Sequence, residues 1–218
     1  MRGLFVTGTD TGVGKTVVAA ALMLRYGSAR PLRYWKPIQT GIEQDDDTRE
    51  VERLAACDPA ALHPHGVRLP RPVSPHLAAR LQGSTIALEP LLRSTAGAGE
   101  ISWVVEGAGG VLVPINDRQT MADLMAALEL PVLIAARSGL GTINHTLLTI
   151  EALERRRLAV AGVVMVGDPN EDNRDAIERY GGVPVLGQMP RFAPLTPERL
   201  AAWSSAELDP SGRLGQFL

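Results

Sequence analysis

Lysine is almost missing from this chain: its 218 residues hold two, Lys15 and Lys36, against twenty arginines. Cysteine is scarcer still, with Cys57 alone. A single thiol excludes an internal disulfide and fits a reducing compartment. No histidine stands near it in sequence, so a buried or idle thiol is its simplest role. Charge of one sign is lacking as well. A formal net charge of −2 and a pI near 6.1 exclude a global pull toward nucleic acid or an anionic membrane surface. No apolar run reaches the roughly 20 residues that span a bilayer, and residues 1–6 lead straight into a first strand without a secretory leader. The expectation is therefore a cytoplasmic protein with neither nucleic acid nor membrane as partner. Repeats and low-complexity tracts are also absent.

What is present is 45% hydrophobic residues, enough for a substantial core in one domain spanning 1–218. The apolar segments are short, continuous and rich in Val, Ile and Leu, as strands buried on both faces of a parallel sheet are. They predict strands at 3–7, 33–35, 102–106, 132–136, 160–166 and 184–187. Helical stretches fall between and after them, at 15–26, about 47–56, 75–82, 86–95, 120–128, 142–156, 171–180 and 197–204. This alternation predicts an α/β fold, a mostly parallel central sheet with right-handed crossovers and flanking helices. In such sheets ligands bind at the carboxyl ends of the strands. The segment 57–75, with His63, His65, Pro70, Pro72 and Pro75, predicts a long surface loop that could cover a substrate. His63 and His65 have the chemistry of metal ligands, but nothing nearby completes a site.

The first strand runs into Thr7-Gly8-Thr9-Asp10-Thr11-Gly12-Val13-Gly14-Lys15-Thr16. Gly14-Lys15-Thr16 opening a helix is the core of a triphosphate cradle. Backbone N–H groups face the phosphates, Lys15 adds a point charge, and Thr16 offers its hydroxyl to Mg²⁺. Gly12, Val13, Gly14 and Val17 complete the expected nucleotide contacts. The loop departs from the regular pattern, which needs glycine five places before Gly14; Thr9 stands there, and Gly8 is one place too early.

Lys36 follows the second strand in Tyr34-Trp35-Lys36-Pro37. Pro37 biases Lys36 toward an extended conformation and stops the strand, leaving the lysine at the sheet edge that carries the phosphate loop. A flexible point charge there suits a transferring γ-phosphoryl. A third marker is Trp103-Val104-Val105-Glu106-Gly107-Ala108-Gly109-Gly110, an apolar strand ending in a carboxylate. Glu106 would complete a Mg²⁺ shell directly or through water. Gly107, Ala108 and Gly109 let the backbone approach a ligand. The run Asp45-Asp46-Asp47 precedes a helix, which Asp47 would cap. Three carboxylates exceed what capping needs, and from the pattern alone it stays open whether one reaches the metal.

No Ser/His/Asp order and no paired cysteine supply a nucleophile. An acceptor that is already an anion needs no strong base; it needs positive charge to offset its repulsion from the phosphate. Lys15, Lys36 and Mg²⁺ provide that, which favours a carboxylate-type acceptor over an alcohol.

Taken together with Thr40-Gly41, Ser74-Pro75-His76 and Gly141-Thr142-Ile143-Asn144-His145, these motifs give the chain, from the first strand to about residue 190, a resemblance to the dethiobiotin synthetase family. The resemblance implies a P-loop NTPase-like fold and a homodimer. It implies ring closure of 7,8-diaminononanoate with CO₂ and ATP, through a carbamate that attacks the γ-phosphate. It makes Lys15 and Lys36 the phosphate-stabilising catalytic pair, and Thr16, Glu106 and Asp47 the metal shell. Thr11 and Thr40 become substrate contacts, and Gly141, Thr142, Ile143 and Asn144 hold the substrate carboxylate from the other subunit. Family members carry an Asn-Asp pair after the fifth strand that reads adenine. Here Val166-Gly167-Asp168 stands there. The base is then read by backbone groups around Pro190, Arg191 and Phe192, or read loosely. Rival readings are another acyl-phosphate-forming enzyme, a binding module without turnover, and a partitioning-type switch ATPase. The last carries a lysine where this chain has Asp10.

Overall fold

The computed structural model describes residues 1–97, 99 and 101–218. Its main sheet has six parallel strands in the order β2-β5-β1-β6-β7-β8. They are β1 (Arg2–Gly8), β2 (Leu32–Trp35), β5 (Ser102–Gly110), β6 (Val132–Arg137), β7 (Val160–Val166) and β8 (Val185–Met189). Each matches one of the six strands expected from the sequence. The longest extension is in β5, which stays extended four residues beyond Glu106 because Gly110 pairs with Gly8.

The helices are α1 (Lys15–Tyr26), α2 (Asp47–Ala55), α3 (Pro75–Leu81), α4 (Leu88–Ser94), α5 (Met121–Leu128), α6 (Thr142–Glu154), α7 (Glu171–Gly181) and α8 (Pro197–Ala206). They cover both faces, and the pleat decides which strand side chains each face receives. Leu4, Val6, Tyr34, Val104, Leu133 and Val164 pack with α1, α2 and α8. Their neighbours Phe5, Trp35, Trp103, Val105, Ile134, Val163 and Met165 pack on the other side with α3 to α7. The continuous apolar runs seen in the sequence are thus two interleaved faces, each with its own core.

Two strands were not expected. β3 (Ile38–Thr40) and β4 (Val67–Leu69) form a separate parallel pair. At three residues each, they are too short for a periodicity to show. The segment 57–75 is accordingly not a plain surface loop. It holds a 3₁₀ turn at Pro59–Ala61, a bridge from Leu62 to Tyr34 and β4. His63 is 6% exposed, set edge-on to Trp35 and Trp103 with ring centroids 5.5 and 5.1 Å away. Its Nε2 lies 3.1 Å from Ser94 Oγ. Burial pushes its pKa down to about 4, so this imidazole is a neutral core group.

A further correction concerns the start of α2. Asp46, not Asp47, is the cap: its Oδ1 accepts from the N–H groups of Thr48 and Arg49 at 3.1 and 3.2 Å. Asp47 is the first helical residue, which turns its carboxylate inward. No helix among the described residues is long and apolar enough to cross a membrane.

Candidate active site

At the carboxyl edge of β1, the chain makes the tight loop that the glycines foreshadow. Gly12 and Gly14 have φ of 68° and 95°, a region that side chains with a Cβ adopt at a cost. A Cβ on Gly14 would also lie 3.1 Å from the Val166 side chain. The loop is tied to its neighbour strand by Thr9 N–H donating to Ala135 O at 3.0 Å. Lys15 Nζ donates to Asp10 O at 3.1 Å. Burial, and then the like charge of Lys36, lower the Lys15 pKa.

The second lysine is the centre of the site. Lys36 is 2% exposed, with Nζ 2.6 Å from Asp47 Oδ2 and 2.7 Å from Glu106 Oε1. It also donates to Gly107 O at 3.0 Å. Burial works against its charge, but Glu106 and Asp47 outweigh it and raise its pKa. For Asp47, burial likewise favours the neutral acid. The Lys36 charge and the hydrogen bonds from Lys36 and Thr16 overcome this, holding the carboxyl below its usual range.

Thr16 Oγ1 lies 2.8 Å from Asp47 Oδ1 and 3.0 Å from Glu106 Oε1. A hydroxyl has one proton, so it can donate to only one of the two carboxylates at a time. The other oxygen pair faces without a shared proton, an arrangement that a cation relieves. Two carboxylates and a hydroxyl form a hard, all-oxygen set. They suit a Mg²⁺ that completes its octahedron from phosphate oxygens and water. Among the described residues no group of three or more His, Cys, Asp or Glu could hold a metal by protein ligands alone.

These groups line one cleft of about 930 Å³. Its walls include Thr11, Gly12, Gly14, Lys15, Thr16 and Val17 from the phosphate loop, then Lys36, Thr40 and Asp47, then Glu106, Ala108 and Gly109. Val13 lies in the core beneath the loop. Gly107 contributes its carbonyl to Lys36, and a Cβ there would lie 2.8 Å from the Phe5 ring. Gly141, Thr142, Ile143 and Asn144 begin α6 outside this cleft, beside a fully exposed Leu140. Pro190, Arg191 and Phe192 follow β8 and are not part of its walls either.

Four residues went unnoticed in the sequence. Tyr34 OH donates to Glu106 Oε2 at 2.7 Å. Arg68 donates to Lys36 O at 2.8 Å. Gln39 lines the cleft with its Oε1 unpartnered while its Nε2 donates to Asp45 O at 2.6 Å. Arg137 pairs with Asp10 at 3.1 Å across the loop. Strand parity was the available signal for Tyr34, which stands two residues before Lys36 and so on the same face.

A parallel sheet with this loop, a buried strand-end carboxylate and a lysine between them define a P-loop nucleotide-dependent protein. The comparisons agree: residues 2–199 match the model of an AAA domain family. A ParA family ATPase from Chlorobium tepidum superposes with a TM-score of 0.53 at 15% identity, over 100% of this chain and 97% of that one. That likeness concerns the fold alone. Within the class, the chain is 50% identical to the ATP-dependent dethiobiotin synthetase of Paramagnetospirillum magneticum, covering 92% of this chain and 94% of that protein. It is 47% identical to the enzyme of the same name from Brucella ovis, covering 90% of each. The chain belongs to the ATP-dependent dethiobiotin synthetase family, whose members are ligases that form C–N bonds.

Proposed function

We propose that residues 1–218 act as one domain that closes the ureido ring of dethiobiotin from 7,8-diaminononanoate, CO₂ and ATP, releasing ADP and phosphate. The observation that carries this reading is the buried Lys36 ammonium, held between Asp47 and Glu106 beside the phosphate loop. A carbamate formed on one substrate amine is an anion and needs no base to attack the γ-phosphate. The obstacle is repulsion between two anions, and the site answers it with Lys15 and Lys36. Attack forms the carbamic–phosphoric anhydride as ADP leaves. The second amine then attacks the carbonyl carbon, closes the ring and expels phosphate.

Thr16, Asp47 and Glu106 would hold Mg²⁺, which supplies positive charge to the phosphate oxygens when bound. Thr11 and Thr40, both on the wall of the cleft, contact the substrate. The start of α6 holds the substrate carboxylate on backbone N–H groups of Gly141–Asn144. That Gly141–Asn144 stand outside the cleft of their own chain fits a contact supplied by a second copy, as the family resemblance implies, with a cytoplasmic homodimer as the working unit. The base rests near Pro190–Phe192 on backbone groups. The Val166 side chain offers no hydrogen bond, and Asn170, four residues on, has its Oδ1 engaged in capping α7. Several nucleoside triphosphates are therefore expected to serve.

Incubation with diaminononanoate, bicarbonate, Mg²⁺ and each of four nucleoside triphosphates, followed by mass spectrometry, tests the proposal. A cyclic urea product is expected. Full triphosphate turnover without that product would overturn it.

A further inference from the structure

Glu106 is 1% exposed, and its two oxygens have different company. Oε1 meets Lys36 Nζ and Thr16 Oγ1. Oε2 accepts from the Tyr34 phenol at 2.7 Å. A cation arriving at the site would take over the places of Lys36 and Thr16, both of which face the cleft. The phenol is different. Tyr34 is fully buried, its strand pairs with Val104 on one side, and its carbonyl accepts from His63 N–H at 2.8 Å on the other. Its ring packs in the core beneath α1 and α2. With its backbone held on both sides and its ring enclosed, the hydroxyl has no room to swing away from Oε2.

The consequence concerns how many oxygens Glu106 can give. Oε1 is the oxygen that meets the cleft-lining Thr16 and Lys36, and a two-oxygen grip on one cation would have to share Oε2 with a donor that does not move. Asp47 has no such clamp, since the groups on its oxygens are Thr16 and Lys36 themselves. Mg²⁺ demands an octahedron with short bonds and accepts one oxygen per carboxylate. Ca²⁺ takes more ligands at longer distance and commonly uses both carboxylate oxygens. We infer that Tyr34 is a positioning residue that makes Glu106 a one-oxygen ligand and so sets the preference of this site for Mg²⁺-sized cations over Ca²⁺. The inference rests on the metal site proposed above and adds to it a selectivity determinant outside the ligand set.

The test is competition, read without turnover. Mn²⁺ bound to the ADP-loaded protein is followed by electron paramagnetic resonance and displaced by Mg²⁺ or Ca²⁺. Tyr34→Phe keeps the ring and removes the donor. Partners of metal ligands typically shift metal affinity by about 10-fold or more, so the ratio of the Mg²⁺ to the Ca²⁺ displacement constants should move toward Ca²⁺ by about that factor. A merely structural tyrosine would weaken both cations together, and an unchanged ratio overturns the inference while leaving the metal site intact. Absence of Mn²⁺ binding to the unsubstituted protein overturns the metal site itself and the inference with it.

A second measurement needs no stable variant at Tyr34. Infrared difference spectra of the unsubstituted protein on adding Mg²⁺ report the separation of the two carboxylate stretches, with the Glu106 band identified by its loss in Glu106→Gln. The wide separation of a one-oxygen carboxylate is expected. A narrow, two-oxygen separation overturns the inference.

Discussion

Lys36 is a cation enclosed with two anions, and its removal separates chemistry from binding. In Lys36→Met the adenosine and phosphate-loop contacts remain, so ATP affinity measured by calorimetry should change less than about 3-fold. Turnover should fall by about 10²–10³, the usual loss when a preorganised electrostatic group is removed. Equal losses in both would make Lys36 a simple nucleotide contact. The same change leaves Glu106 and Asp47 facing each other without compensation, which typically costs about 3–5 kcal/mol for a buried pair. The melting temperature should fall accordingly and recover in part with Mg²⁺. The pH dependence has a different origin. Asp47, lowered, contributes stability that is lost only as pH falls through its folded value, and Lys36, raised, contributes stability lost only at strongly alkaline pH. Near neutrality this pair is silent. His63 is not: lowered from 6.5 to about 4, it contributes stability that is present above pH 6.5 and lost as pH falls from 6.5 toward 4. Urea titrations in that window should show the loss, and His63→Leu should flatten the slope. Lys15, Thr16, Lys36 and Glu106 were legible because lysine is rare here and because strand ends carry the chemistry. Tyr34 was not, since a tyrosine within an apolar strand reads as core.

At the level of elements, the phosphate-loop helix α1 is anchored at its far end by the C-terminal tail. Asp209 is buried and accepts from Tyr26 OH at 2.6 Å and from the N–H groups of Arg213 and Leu214 at 2.9 and 2.6 Å. Arg30 donates to Gly215 O at 2.8 Å and to Leu218 O. Asp209→Ala leaves these three donors, two of them on the backbone, and the Ser211 hydroxyl without their acceptor. Each such group costs about 1–3 kcal/mol when buried, so chemical denaturation should show a loss of at least about 2 kcal/mol. Six strands and eight helices were legible from apolar runs and their breaks, since burial on both sheet faces leaves a strong imprint. β3 and β4 were not. Their pairing joins Ile38–Thr40 to Val67–Leu69 across an intervening helix, and no three-residue window carries that information. The Asp46/Asp47 exchange shows the same limit, because a one-residue shift in a helix start decides which carboxylate caps and which faces Lys36.

For the whole molecule, the proposed dimer has a direct consequence. Leu140 is fully exposed at the mouth of α6, and Leu148, on the same helix, is also exposed. Sedimentation should find two copies associated. Leu140→Asp, which places a charge on that face, should yield monomers that bind ATP but need at least about 10-fold more diaminononanoate, a loss of about 1.4 kcal/mol. A fully active monomer would remove the second copy from the site. The same whole-chain view changes the meaning of the lysine shortage. Both ε-amines lie inside one cleft, 7% and 2% exposed, and the outer surface carries guanidinium and imidazole groups but no side-chain amine. Amine-directed reagents therefore find the terminal amine and, beyond it, nothing except the active centre. Acylation of this protein is a footprint of whether that centre is open or filled, with the terminal amine as the background to subtract.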